Sequence, residues 1–265
     1  MIEGRGATVQ PIYFGNSDRQ LFGVYHPPKA LRAADAGVLL CYPMMQEYMR
    51  THWAFRKLAD MLARDGFHVL RFDYYGTGDS AGESHQGTVD QWCADIRAAV
   101  AELQDLGAAR SVSVVGLRLG ASLAVLAASG GIQVRDLVLW EPAIDGRSHI
   151  RELRAIEMIK YANLAHPLAS GPRELLDYPF PDAMREGVER IDLRLVSPCN
   201  CDRILLFASR TTPEQVELQG CLRDRAGNGP DYHIVPDETG DRREGVLLST
   251  RVLQGIATAL GGTAA

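Results

Sequence analysis

Short apolar runs of strand length alternate along this chain with longer stretches whose apolar positions recur at helical spacing. That alternation is the signature of βαβ units wound around a mainly parallel sheet. The opening differs, because residues 9–14 and 21–25 flank Gly15-Asn16-Ser17-Asp18 and predict an antiparallel hairpin ahead of the wound part. After Pro27-Pro28, residues 37–41 form a near-continuous apolar run of the kind buried on both faces. A helix is predicted over 51–64 and ended by Gly66, and a strand over 68–72 runs into the glycine-rich loop Asp73-Tyr-Tyr-Gly-Thr-Gly-Asp-Ser-Ala-Gly82. Thr88 caps a helix that reaches residue 106. A strand over 111–115, a helix over 120–129 and a strand over 134–140 follow, the last ending in Glu141-Pro142-Ala143-Ile144-Asp145-Gly146.

From 147 to 198 the strand rhythm stops, and the segment reads as helical, polar and punctuated by Pro167, Pro172, Pro179 and Pro181. Strands over 203–208 and 232–235 and a closing helix over 244–260 then complete the pattern. The expectation is one α/β core, residues 1–146 and 199–265, with a helical lid inserted at 147–198.

Composition narrows the partners. A chain of 265 residues with 46% hydrophobic content can bury one large core. A net charge of −5, from 28 basic and 33 acidic residues, leaves no basic stripe for phosphates, so no nucleic-acid partner is expected. Five irregularly spaced cysteines do not form a disulfide framework and fit a reducing, cytoplasmic setting. Cys199-Asn200-Cys201 has half the spacing of a metal site but no matching Cys/His pair nearby, so neither metal nor cofactor is expected. No apolar run approaches the ~18 residues of a membrane span, and no signal pattern opens the chain. Met1-Ile2-Glu3-Gly4-Arg5 spells a tag-removal protease site and carries no functional weight.

The chemistry centres on Gly116-Leu117-Arg118-Leu119-Gly120, where a strand, a Gly-x-x-x-Gly turn and a small-residue helix meet. That is the context of a nucleophile elbow, with arginine where serine would stand. The loop from Asp73 to Gly82 resembles the one after the fourth strand in serine hydrolases of the α/β-hydrolase superfamily. Tyr42-Pro-Met-Met-Gln-Glu47-Tyr-Met-Arg-Thr51 is similar to the Pro-Pro-Phe-Ala-Glu-Glu-Met-Asn segment of hydrolase-like proteins found with bacterial exosortase systems. GLRLGASLA and LVLWEPAIDG resemble their elbow and Leu-Trp-Gln-Pro stretches, over residues 37–159 in all. Those relatives commonly carry arginine at the elbow. The resemblance implies an α/β-hydrolase fold in a bacterial protein.

The superfamily's mechanism needs a serine, an acid and a histidine in that chain order. The acid is expected after the strand over 203–208, where Thr212 stands, with Glu214 as a substitute close by. The histidine is expected in residues 236–244, which contain none, and His233 lies within the preceding strand. Ordinary ester hydrolysis is therefore not expected.

A site remains. The free N–H groups and dipole of the helix starting at Leu119 attract an anion, and Arg118 reinforces them. Backbone around Met44 and Met45 is expected to complete an oxyanion hole. Arg118, Glu141, Asp73 and His52 are the candidate catalytic residues, and Tyr42, Met44, Met45, Glu47, Tyr74, Tyr75 and Leu119 the candidate ligand-binding ones. Each has a plainer reading: Arg118 pairs with Glu141, Asp73 caps its loop, His52 is solvated, Cys41 is core and one of Tyr74 and Tyr75 packs under the lid. Two functions stay open. One is an enzyme doing lyase, cyclase or acyl-transfer chemistry on an acyl or anionic small molecule. The other is an inactive pseudohydrolase that binds a ligand or partner protein. A homodimer is left open as well.

Overall fold

The computed structural model describes residues 8–30, 35–162, 173–226, 230–236 and 250–261. Eight strands form the central sheet in the order β1-β2-β4-β3-β5-β6-β9-β10. β1 (Gln10–Phe14) and β2 (Leu21–His26) are the expected antiparallel hairpin, in register from Gln10↔Tyr25 to Phe14↔Leu21. β2 lies antiparallel to β4 (His68–Phe72), and every later pairing is parallel: β4 with β3 (Ala36–Cys41), β3 with β5 (Ser111–Leu117), and β5 with β6 (Val134–Trp140). β9 (Cys201–Ala208) and β10 (Asp231–Ile234) extend the sheet beyond β6. All six residues of β3 are buried, as its unbroken apolar run requires of a strand covered on both faces.

Helices α1 (Met45–Arg64) and α7 (Thr250–Gly261) pack together, as do α2 (Val89–Gly107) and α3 (Leu119–Ser129). Right-handed crossovers separate α1 from α2 and α3, because the β3-to-β4 connection runs one way along the sheet and the β4-to-β5 and β5-to-β6 connections run the other. Thr88 caps α2 as expected, its side chain accepting from Gln91 N at 3.2 Å. Between β6 and β9 the chain forms α4 (Gly146–Tyr161), the short antiparallel pair β7 (Glu174–Leu175) and β8 (Tyr178–Pro179), and α5 (Asp182–Glu189). Asp145 caps α4 through Ser148 N at 2.7 Å, and Glu157 on α4 accepts from Leu176 N at 2.6 Å, tying the hairpin to the helix.

The strand pair β7–β8 departs from the expectation of an all-helical segment over 147–198, and two helices depart as well. α1 starts at Met45 and not at residue 51, because its first turn is held by tertiary contacts and not by a cap: Met44, the N-cap, makes no side-chain cap bond. α6 (Pro213–Ala226), between β9 and β10, was not expected at all. Its signal is present in Thr212-Pro-Glu-Gln215, where Thr212 Oγ1 accepts from Gln215 N at 3.2 Å and Gln215 Oε1 accepts from Thr212 N at 3.0 Å. That is a reciprocal capping box. The expected start of the closing helix at 244 lies outside the described residues.

One buried carboxylate pins β6 to its neighbours. Asp136, 1% exposed, accepts from Ser113 on β5 at 2.9 Å, Arg203 on β9 at 2.7 Å and Arg135 at 2.8 Å. Burial alone raises its pKa, but these donors outweigh that and hold the carboxyl below its usual range. A depressed folded pKa adds stability above the unfolded value and loses it as pH falls through the folded one. Asp136→Asn is therefore expected to lower the unfolding free energy by about 1–3 kcal/mol at pH 7. The gap to wild type should narrow below about pH 4, which urea unfolding at pH 7 and pH 3 measures.

Candidate functional site

Arg118 sits at the sharp turn from β5 into α3, with φ 53° and ψ −120°. A non-glycine residue in that conformation is strained and persists only where its surroundings over-determine it. Here its N–H donates to Trp140 O at 3.0 Å, and its carbonyl accepts from Ala121 N at 3.1 Å and Ala143 N at 3.2 Å. The two flanking glycines are demanded by space. A Cβ on Gly116 would lie 2.5 Å from the Ala121 backbone, and one on Gly120 2.3 Å from Tyr42 O. The helix therefore seats tightly on both β5 and the end of β3.

The Arg118 guanidinium is surrounded. Its Nε donates to Glu47 Oε1 at 3.0 Å, and its Nη2 contacts the Glu152 carboxylate and lies 3.3 Å from His149 Nδ1. Side-chain exposure separates the partners: Glu47 is 10% exposed and His149 1%, whereas Glu152 is 54% exposed. Burial opposes the charge on Arg118, but Glu47 and Glu152 outweigh it and raise its pKa further, so it is a permanent cation. Burial raises the Glu47 carboxyl above its ordinary value, an effect Arg118 only partly relieves. Burial, then the Arg118 charge, lowers His149 to about 3, leaving a neutral imidazole at neutral pH. Glu47 Oε2 and His149 Nε2, 3.9 Å apart, are both buried without a hydrogen-bond partner among the described residues. A cavity of about 190 Å³ opens on Arg118, His149 and Glu152, with Glu141, Thr212 and Glu214 in its wall.

The structure brings some of the expected residues together and separates others. Glu47 reaches Arg118; Glu141 shares the cavity but is not the partner of Arg118 that the strand order predicts. Its N–H continues the β6–β9 pairing to Phe207 O at 2.8 Å, and its carboxylate turns the same way, accepting from Ser209 N at 2.5 Å. Met44 is the N-cap of α1, Met45 follows with φ 53°, and Leu119 is fully buried as the first residue of α3. Asp73 is occupied as a loop anchor, its Oδ2 accepting from Asp79 N at 3.0 Å and its Oδ1 from Tyr48 OH at 2.8 Å. Tyr42 is buried, accepting from Arg71 at 2.8 Å and stacking on Phe55 at 4.4 Å. Tyr74 stacks on Trp92 at 4.8 Å, while Tyr75 bonds Asp95 through its N–H at 2.9 Å. His52 is exposed on α1 beside the Tyr42 ring and lines neither the cavity nor the Arg118 cluster. Thr212 is engaged in its capping box, and His233 stacks on Phe207 at 4.5 Å. Cys41 is core, its thiol pushed up by burial. Residues 237–244, the place expected for a histidine, lie outside the described residues.

Sequence reasoning missed His149 and Glu152. Their signal is the spacing of three on a capped helix, which puts both on one face of α4 just beyond the end of β6.

Comparison with known proteins agrees with this architecture. No curated protein sequence matches the chain. Among solved structures, an esterase of Pyrococcus furiosus superposes with TM-score 0.69 at 18% identity, over 96% of this chain and 89% of that one. A putative hydrolase from Agrobacterium vitis S4 gives 0.64 at 20% identity, over 96% and 98%. The α/β-hydrolase domain-containing protein 10 of mouse gives 0.58 at 20%, over 97% and 98%. Identities this low speak for the fold alone, which is the α/β-hydrolase fold. Residues 44–182, just over half of the chain, match the serine aminopeptidase family S33, and the chain belongs to that family.

Proposed function

We propose that this chain uses the hydrolase fold to bind a small acyl or carboxylated molecule at Arg118, and that it works without the serine, acid and histidine of its superfamily. No side chain at the turn between β5 and α3 can form an acyl intermediate. Thr212 stands where the acid is expected, and residues 236–244 contain no histidine.

The observation that carries the reading is the unequal pair of carboxylates on Arg118. Glu47 is buried, so releasing it would strand a charge away from water. Glu152 is half exposed and regains its hydration when released. An incoming carboxylate, phosphate or enolate can take the place of Glu152 while Glu47 holds the guanidinium, and the charge balance at Arg118 is unchanged. The dipole of α3 favours the same sign. The likeness of GLRLGASLA to the elbow of exosortase-associated hydrolase-like proteins supports treating Arg118 as part of a working pocket. With the irregular cysteine pattern, it also supports a bacterial, cytoplasmic setting.

A second reading adds turnover of the lyase, cyclase or acyl-transfer type. Glu47, with its raised carboxyl pKa, and the neutral His149 each hold an unpartnered atom beside Arg118. They form an acid–base pair of the kind that strongly perturbed groups in a cavity mark. An inactive pseudohydrolase would keep the exchange at Arg118 and have no use for that pair.

Hydrolysis of activated phenyl esters should stay at background, and a serine-directed phosphonate should leave the protein unlabelled; robust turnover with covalent labelling would overturn the proposal. Stability and affinity should divide between the two carboxylates. Glu47→Gln is expected to destabilise the fold by about 3–5 kcal/mol, and Glu152→Gln by no more than about 1 kcal/mol. In calorimetric titration, Glu152→Gln should bind short carboxylates at least about fivefold more tightly, since the internal competitor is gone. Unchanged affinity in that variant rules out the exchange.

A further inference from the structure

Cys199-Asn200-Cys201 leads into β9 and takes no part in the site at Arg118. The backbone folds sharply there. Cys201 N donates to Cys199 O at 3.0 Å, a bond between residues two apart that closes a γ-type turn. Such a turn brings the two Cα atoms into the range of about 4.4–6.8 Å that a disulfide spans. Val134 N of β6 donates to Asn200 O at 3.0 Å, and Asn200 N donates to Ala128 O of α3 at 3.4 Å, so both flanks hold the turn in place.

The side chains meet as well. A hydrogen bond joins the two thiols, and that bond together with partial burial raises the Cys201 thiol above its usual range, with Asp202 and Asp136 acting the same way. Cys199 Sγ lies 3.5 Å from Ser129 Oγ and donates to Val125 O at 3.8 Å. Both cysteines are half-buried, in contrast to the buried Cys41 and Cys93. A small reagent can therefore reach this pair. Cys201 pairs with Val134 at the start of β6, whereas Leu117, just before Arg118, pairs with Trp140 at its end. The thiols and the guanidinium thus lie at opposite edges of the sheet.

We propose that Cys199 and Cys201 are a reversible modification site, closing to a disulfide by exchange with a small-molecule disulfide. One cysteine gives its proton to water and attacks a sulfur of R–S–S–R, which breaks that bond and expels RS⁻, later protonated to R–SH. The second cysteine then loses its proton and attacks the protein sulfur of the mixed disulfide, expelling the second RS⁻. The two protein thiols are oxidised by two electrons, and R–S–S–R is reduced to two R–SH. Because the turn holds the second thiol against the first, the mixed disulfide resolves within the chain.

The test equilibrates the full chain with glutathione buffers of rising disulfide fraction, quenches with iodoacetamide and reads the tryptic peptide 195–203, which holds both cysteines of the pair and no other. That peptide should lose two hydrogen atoms and escape alkylation, and dithiothreitol should restore it. The equilibrium constant for closure should be at least about tenfold larger in the native chain than in denaturing urea, since the turn is preformed only in the folded state. Cys199→Ser and Cys201→Ser should each retain one glutathione on the remaining cysteine, which has no partner to expel it. The site is overturned by a wild-type peptide that stays doubly alkylated in every buffer, that carries glutathione in place of the internal bond, or that closes no more readily in the native chain than in urea. Single variants that take up no glutathione overturn the exchange route.

Discussion

The buried ion pair between Arg118 and Glu47 is the contact on which the site depends. An arginine at the strained turn after β5 cannot be left alone in a dry interior, because an uncompensated buried guanidinium is costly. Glu47 supplies the compensation at 3.0 Å. Doing so fixes where α1 begins, since that carboxylate must stand over the turn, and the helix extends back to Met45 without a side-chain cap. The turn itself is kept in its unusual backbone state by contacts to Trp140 and Ala143, so the anchor and its platform support one another.

The surroundings of that anchor are asymmetric. A buried carboxylate on one side and a half-exposed one on the other both pair with the guanidinium. His149 completes the enclosure as a neutral imidazole, because burial and the adjacent guanidinium both disfavour its charged form. The same turn of α1 that holds the cation through Glu47 also presents Met45, Tyr48 and Met49 to a separate cavity on the side of the glycine-rich loop.

Below the site the sheet is conventional in its physics. β3, β5 and β6 are buried on both faces, and Asp136 ties three adjacent strands through charge-assisted hydrogen bonds. Asp73 plays a similar part in its loop, where Gly78 approaches so closely that a Cβ would lie 2.0 Å from Asp73 Oδ2. A residue type suited to catalysis is there consumed in holding the backbone.

The succession of strands along the chain, the hairpin, the cap at Thr88 and the position of Arg118 between β5 and α3 were legible in the amino-acid sequence, because each depends on local periodicity or on a motif of a few neighbouring residues. The capping box at Thr212 and the His149–Glu152 spacing were equally local and went unread. The partners of Arg118 were not legible. Glu47 lies 71 positions away and Glu152 lies 34. Strand order alone pointed to Glu141, the nearest carboxylate on the neighbouring strand, and hydrogen bonding along β9 turned that side chain toward Ser209. Periodicity records which face of an element is dry, and so it determines the sheet and its helices. Which of several carboxylates meets a given guanidinium is decided by competing long-range contacts and by burial, and those exist only once the chain has folded.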